Sequence, residues 1–255
     1  MNETIALEVR SVCCRFGGLT ALEDITLRVP AGQRRVLIGT NGAGKSTLFN
    51  VINGQIRPTA GRVLMHGADM TDQPVHERAR LGLSRTFQIT SLFSELTVME
   101  NMTIAVQALD PAHFTFYRPL AAFARISEQV RTALERWHLW DLRAERVKHL
   151  PYGTQRQLEI VLALAGNPRV LLLDEPMAGL SARETQHAID VVKALDPSIT
   201  VLVIEHDLQA AFAMADWVTA MDRGRIVADG PPDQIRGQGD LERLYTGMAP
   251  LASVR

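Results

Sequence analysis

The sequence predicts an α/β fold, a mixed sheet flanked by helices, on three observations. A glycine-rich run, Gly39-Thr40-Asn41-Gly42-Ala43-Gly44-Lys45-Ser46-Thr47, follows the apolar stretch Val36-Leu37-Ile38 and precedes residues that can open a helix. Two further apolar runs, Val170-Leu171-Leu172-Leu173 and Val201-Leu202-Val203-Ile204, lack strict alternation. That is the pattern of strands buried on both faces of a parallel sheet. Between them and the glycine-rich run, from about 97 to 165, the pattern turns helical, with Ala, Leu, Arg and Glu prominent.

Taken in chain order, residues 5–12 and 22–29 read as strands around a Phe16-Gly17-Gly18 turn, an antiparallel β subdomain at the N-terminus. Pro30-Ala31-Gly32 punctuates the entry to the next strand. Gly61-Arg62-Val63-Leu64-Met65-His66-Gly67 reads as a short strand between turns. A helical insertion is expected over 89–158, then the two buried strands, then a tail over 231–255. The whole is expected to form one domain over 5–250, without repeats or a long linker. Phe114, Phe116, Tyr117 and Phe123 cluster inside the insertion, although aromatics make up 5% of the chain. Packing within the helical subdomain is the favoured reading, and a docking surface for another protein the sharper one.

Composition narrows the function. The chain has 255 residues, 46% apolar and 22% charged, with a formal net charge of −1. A basic excess that would suggest nucleic acid as a partner is absent. The two cysteines, Cys13 and Cys14, are adjacent. Neighbours on a strand point to opposite faces, so they suit neither a disulfide framework nor a metal site and fit a reducing cytosol. Met1-Asn2-Glu3-Thr4 does not read as the start of a signal peptide, and no apolar stretch approaches the ~18 residues of a membrane span.

The glycine-rich run carries the chemistry. Glycines permit the tight turns that converge several N–H groups on one anion, and the following helix N-terminus adds partial positive charge there. In this pattern Lys45 reaches the β- and γ-phosphates of a nucleotide, and the Ser46 hydroxyl can ligate Mg²⁺. Asp174 ends an apolar strand where ligands of such sheets bind, and is suited to hold Mg²⁺ through water. Glu175 can polarise an attacking water as general base. His206, after the second apolar strand, can hydrogen-bond the γ-phosphate. Gln88, after Arg85-Thr86-Phe87, can sense Mg²⁺ or the attacking water.

Together these residues resemble an ATP-binding cassette (ABC) ATPase, the motor subunit of membrane transporters, and so imply a P-loop NTPase core. Residues 39–47 match its Walker A loop and 170–175 its Walker B strand with the catalytic Glu; Gln88 matches the Q-loop and His206 the switch histidine. Phe16 falls where the family sets an aromatic ring against adenine. Leu150-Pro151-Tyr152-Gly153-Thr154-Gln155 occupies the signature position, keeping Leu150 and Gly153 of the usual five residues. Pro151 replaces the signature Ser and has neither hydroxyl nor N–H, which leaves the N–H groups of Tyr152 and Gly153 at a predicted helix start. Ser181 stands where the family often has Asp, and is expected to keep a polar contact across a dimer.

Within the family, Arg15-Phe16-Gly17-Gly18-Leu19, Arg85-Thr86-Phe87-Gln88, Leu158-Glu159-Ile160, Ala178-Gly179-Leu180 and Val203-Ile204-Glu205-His206-Asp207 resemble the ATPases of branched-chain amino-acid importers, as does the tail from Gly224 to Pro231. The resemblance implies ATP and Mg²⁺ as cofactors. It also implies separate integral-membrane permease subunits, a second ABC ATPase subunit (the same or a related chain), and indirectly a solute-binding protein. The place implied is the cytoplasmic face of the plasma membrane, held peripherally. Transported solutes in this subgroup are leucine, isoleucine and valine, or urea and short amides. Two alternatives stay open: a soluble non-transport ABC ATPase, and a nucleotide-binding regulatory module with weak hydrolysis, for which Pro151 argues.

Overall fold

The computed structural model describes residues 4–86, 92–108 and 120–236, the last stretch without the side chains of 120–123. Strands β1 (Ile5–Phe16) and β2 (Leu19–Pro30) form a long hairpin, each strand running beyond its predicted bounds to a two-residue turn at Gly17-Gly18. The elements that follow are β3 (Arg34–Ile38), α1 (Lys45–Asn53), β4 (Ala60–Met65), β5 (Ala68–Asp69), α2 (Val75–Arg80) and β6 (Leu83–Arg85). Helices α3 (Val98–Ala108), α4 (Leu120–Arg136) and α5 (Tyr152–Leu164) make the helical region. The chain closes with β7 (Val170–Asp174), α6 (Ala182–Lys193), β8 (Thr200–Ile204), α7 (Leu208–Met214), β9 (Trp217–Asp222), β10 (Arg225–Gly230) and α8 (Pro232–Arg236).

Two sheets result. The first is antiparallel with order β2-β1-β4-β5; the second has order β10-β9-β3-β8-β7-β6, parallel except for β10. Side chains of the second sheet alternate between two cores, as the period of a strand requires. Leu37, Leu172, Leu202 and Ile204 pack with the antiparallel sheet and with Leu48 and Phe49 of α1. Val36, Ile38, Leu171, Leu173, Val201 and Val203 pack beneath the helices of the opposite face. Every residue of β7 and β8 is buried, which explains their unbroken apolar runs.

Helix α5 runs through the expected insertion end at 158, because Leu158, Ile160 and Val161 lie in the core under the helices. Cys14 is buried and Cys13 half-buried, both free, on alternate faces of β1 as adjacency implied. Of the aromatic cluster, Phe114, Phe116 and Tyr117 lie outside the described residues, as do Gln88 and the tail beyond 236, while Phe123 falls on α4 at a position whose side chain is not described.

Candidate active site

Because β3, β6, β7 and β8 are parallel, their C-terminal ends share one edge of the sheet. Leu37 pairs with Ile204, and Ile204 with Asp174. The phosphate-binding loop leaves from the centre of that edge. Gly39 has φ 150°, and a Cβ there would collide with the Met221 carbonyl of β9. Gly44, the N-cap of α1, has φ 99°, and its Cβ would lie 2.8 Å from the Ala21 carbonyl oxygen. Only glycine fits at either position. Gly42 instead borders open space, with nothing within 4 Å of an added Cβ.

Around this frame Asn41 and Ser46 are exposed, Thr47 is half-buried, and Ala43 is buried, its N–H bonded to the Thr40 carbonyl at 3.1 Å. No side chain caps α1 and its first turn holds no acidic residue, so its terminal N–H groups and dipole stay open toward the loop. The Lys45 ammonium folds back to donate to the carbonyls of Gly39 at 2.7 Å and Thr40 at 3.1 Å. Burial lowers its pKa, against the pull of the Glu175 and Asp174 carboxylates.

Strand β7 delivers Asp174 and Glu175. The Asp174 side chain is fully buried; its Oδ2 accepts from Arg85 Nη2 at 2.7 Å. Its Oδ1 is buried with no hydrogen-bond partner among the described residues. Glu175 follows in the left-handed region, φ 48°, which costs a non-glycine residue on the order of 1–3 kcal/mol. Its N–H donates to the Ile204 carbonyl at 3.0 Å, so neighbouring β8 holds the turn in place. Glu175 Oε2 lies 3.9 Å from Nδ1 of the exposed His206, the second residue beyond β8. Between them in sequence, Glu205 is wholly buried, and its Oε1 accepts the Met177 N–H at 3.0 Å. Burial raises the Glu205 pKa. Asp207 caps α7, accepting from the N–H groups of Gln209 and Ala210.

The signature segment is built differently. Pro151 is the N-cap of α5 and offers no side-chain cap. The Gly153 N–H donates to Glu184 Oε1 at 3.2 Å, and a Cβ on Gly153 would lie 2.7 Å from that oxygen. The Tyr152 hydroxyl donates to the Ala178 carbonyl at 3.3 Å and accepts from Arg156 Nε at 3.0 Å. The Tyr152 ring lies 3.2 Å from the position a Cβ on Gly179 would take, so α5 packs directly on the loop after β7. A cavity of about 460 Å³ sits elsewhere, among Met102, Val106, Trp137 and Leu164, and shares no residue with the sheet edge.

A phosphate cradle, two carboxylates and a histidine on one sheet edge are the parts of a nucleotide-hydrolysing centre. Residues 22–178 match the ABC transporter family. The chain belongs to that family. It is 36% identical over 252 residues to the high-affinity branched-chain amino acid transport ATP-binding protein BraF of Pseudomonas aeruginosa, covering 95% of this chain and 98% of that protein. Identity to the corresponding LivG protein of Escherichia coli K12 is also 36%, over 250 residues, with the same coverage. Among solved structures, the ADP conformation of an ATP-binding cassette of an ABC transporter superposes with a TM-score of 0.84 at 28% identity, covering 96% of this chain and 99% of that one.

In this ABC ATPase the phosphate loop, Asp174, Glu175 and His206 come together as expected. Phe16 ends β1 with 48% of its surface exposed. Gln88 lies outside the described residues; Thr86, two positions before it, reaches the same edge, its hydroxyl accepting from the Asp174 N–H at 3.3 Å. Ser181 is exposed, and its hydroxyl also has a partner within the chain: it donates to Glu184 and its side chain accepts the Glu184 N–H, a capping box that starts α6. The Gly153 N–H is not left open at the helix start, because the same Glu184 takes it. Arg85 and Glu205 sit inside stretches that carry the family resemblance, and the sequence pattern assigns neither a task. The Ser181-x-x-Glu184 spacing was the signal for the capping box.

Proposed function

We propose that this ABC ATPase is the ATP-hydrolysing motor subunit of an importer for branched-chain amino acids or a related small polar solute, such as urea or short amides. The observation that carries the reading is 36% identity to branched-chain amino acid transport ATP-binding proteins over nearly the whole of both chains. The loop over residues 39–47 and the α1 N-terminus bind the triphosphate, with the Lys45 ammonium exchanging its two carbonyl partners for β- and γ-phosphate oxygens. Phe16 stacks on adenine. Glu175 takes the proton of the attacking water, and His206 steadies the γ-phosphate and the Glu175 carboxylate beside it.

The residues fit a magnesium ion. Ser46 offers an exposed hydroxyl, and Asp174 Oδ1 is a buried oxygen with no partner among the described residues. Those residues hold no cluster of three or more His, Cys, Asp or Glu. That suits Mg²⁺, which keeps its waters and takes one or two carboxylates beside substrate phosphates. Gln88 is assigned to the same ion and to the attacking water. When bound, Mg²⁺ neutralises charge on the phosphate oxygens.

Tyr152 and Gly153 serve the ATP of a second cassette, the same or a related chain. Integral-membrane permease subunits complete the transporter, and a solute-binding protein meets it indirectly; nucleic acid has no part. Among the described residues no helix is long and apolar enough to cross a membrane, which agrees with a peripheral subunit on the cytoplasmic face. The test is purification from detergent extract followed by ATP turnover. Co-purifying permease chains and magnesium-dependent hydrolysis are expected. Hydrolysis without membrane partners would favour the soluble ATPase, and partners without hydrolysis the regulatory module.

A further inference from the structure

Strand β7 does not hold the Asp174 carboxylate alone. Arg85, the last residue of β6, reaches β7, α1 and the turn after α1 at once. Its Nη2 donates to Asp174 Oδ2 at 2.7 Å, and its Nη1 to Asn50 Oδ1 of α1 at 2.6 Å and to Gln55 Oε1 at 3.1 Å. The guanidinium also lies 5.6 Å from the Phe49 ring centroid. The ion pair is enclosed: the Arg85 side chain is 8% exposed and that of Asp174 0%.

This arrangement divides the carboxylate. Oδ2 is tied to the guanidinium, while Oδ1 is buried and unpartnered among the described residues. Asn50 lies one helical turn beyond Ser46 on the same face of α1. The arginine fork therefore braces the helix that carries the Ser46 hydroxyl against the strand that carries Asp174.

We infer that Arg85 is a positioning residue for the magnesium site: it clamps Asp174 through one oxygen and presents the other to the hydrated ion. The inference rests on the assignment of Ser46 and Asp174 to Mg²⁺ made above. Without the clamp, Asp174 is a buried charge free to turn, and the Lys45 ammonium already feels its field. A carboxylate that swings away from its place is lost to the ion. Lysine at position 85 would keep the charge but lose the fork, since an ammonium cannot bridge two planar acceptors as a guanidinium does.

The experiment is a titration of the full chain with a fluorescent ADP analogue, at graded Mg²⁺ and again in chelator. Arg85→Met should raise the Mg²⁺ midpoint about 10–100-fold, the usual effect of removing a partner that orients a metal ligand, while affinity in chelator stays the same. Arg85→Lys should move the midpoint in the same direction by less. An unchanged midpoint in folded Arg85→Met overturns the inference, as does an equal loss with and without Mg²⁺, which is what a merely structural role would give. If Arg85→Met does not fold, Arg85→Lys decides alone by the same criterion. Asp174→Asn separates the two levels. A shift there without one at Arg85 overturns this inference only; no shift at Asp174 removes the magnesium assignment and this inference with it.

Discussion

The glycine-rich loop and the signature segment are built in opposite ways. The loop springs from the middle of a buried parallel sheet. Its Gly39 and Gly44 are pinned against Met221 and Ala21, its lysine is buried, and Glu175 is held in a costly backbone conformation by β8. The signature segment lies at the half-exposed start of α5, and its Gly153 N–H is satisfied by Glu184 of the same chain. One site is preorganised and its cost is met by the core. The other is self-satisfied and must give up a local bond before it can serve a second nucleotide. Substitutions in the first should act on binding and chemistry within one chain; those in the second should act on turnover of the assembled pair.

Lys45→Ala tests the preorganised side most severely. It removes the charge proposed to meet the β- and γ-phosphates, and the loss of such an electrostatic contact lowers turnover on the order of 10²–10³-fold. ATPase rate and nucleotide affinity measured together check this, and normal values for both would break the assignment of the loop.

Gly153→Asp sharpens the other side. The new carboxylate would crowd Glu184 and oppose a partner's triphosphate. Like-charge contacts at an interface cost several kcal/mol, so turnover of the complete transporter should fall by roughly 100-fold. Nucleotide binding to the isolated chain should not change. Equal damage to binding by the single chain would erase the distinction between the two regions.

Pro151→Ser should matter less. It adds one neutral hydrogen bond, about 0.5–1.5 kcal/mol, or at most about tenfold in turnover. Serine is also a good N-cap where α5 now has no side-chain cap, so the thermal midpoint should rise slightly. Activity appearing from nothing in this variant would favour the regulatory module.

These contrasts also explain what the sequence made legible. Walker A, Walker B and the buried strands are local: apolar runs of three or four residues and a glycine pattern say where they lie. The hairpin extended beyond 12 and 22 because cross-strand pairing with β4 and within β1–β2 carries residues that lack clean alternation. Arg85 could not be read, since β6 has three residues and its partner Asp174 lies 89 positions away. Glu205 looks like any polar residue after a strand, yet folding buries it completely. Ser181 is legible as a cap from the glutamate three residues on.

Glu205 gives the smallest effect. Burial raises its pKa above the ordinary 4.5, so the folded chain keeps this proton to higher pH than the unfolded chain does. Its contribution to stability therefore falls as pH rises from about 4.5 through the raised folded value. Glu205→Gln removes the ionisation and keeps an acceptor for the Met177 N–H. Denaturant midpoints should rise more in this variant at about pH 8 than at about pH 4, the reverse of which would show that the folded state favours the carboxylate.

The most direct measurement of the central claim is single-turnover ATP hydrolysis by Glu175→Gln in the assembled transporter, with ATP binding followed in parallel. The amide keeps the shape of the side chain but cannot accept the proton of water. Binding should persist while hydrolysis falls about 10²–10⁴-fold, the range of a general base. Hydrolysis at the parental rate would contradict the account, because the residue held in the left-handed turn beside His206 would then not be the base.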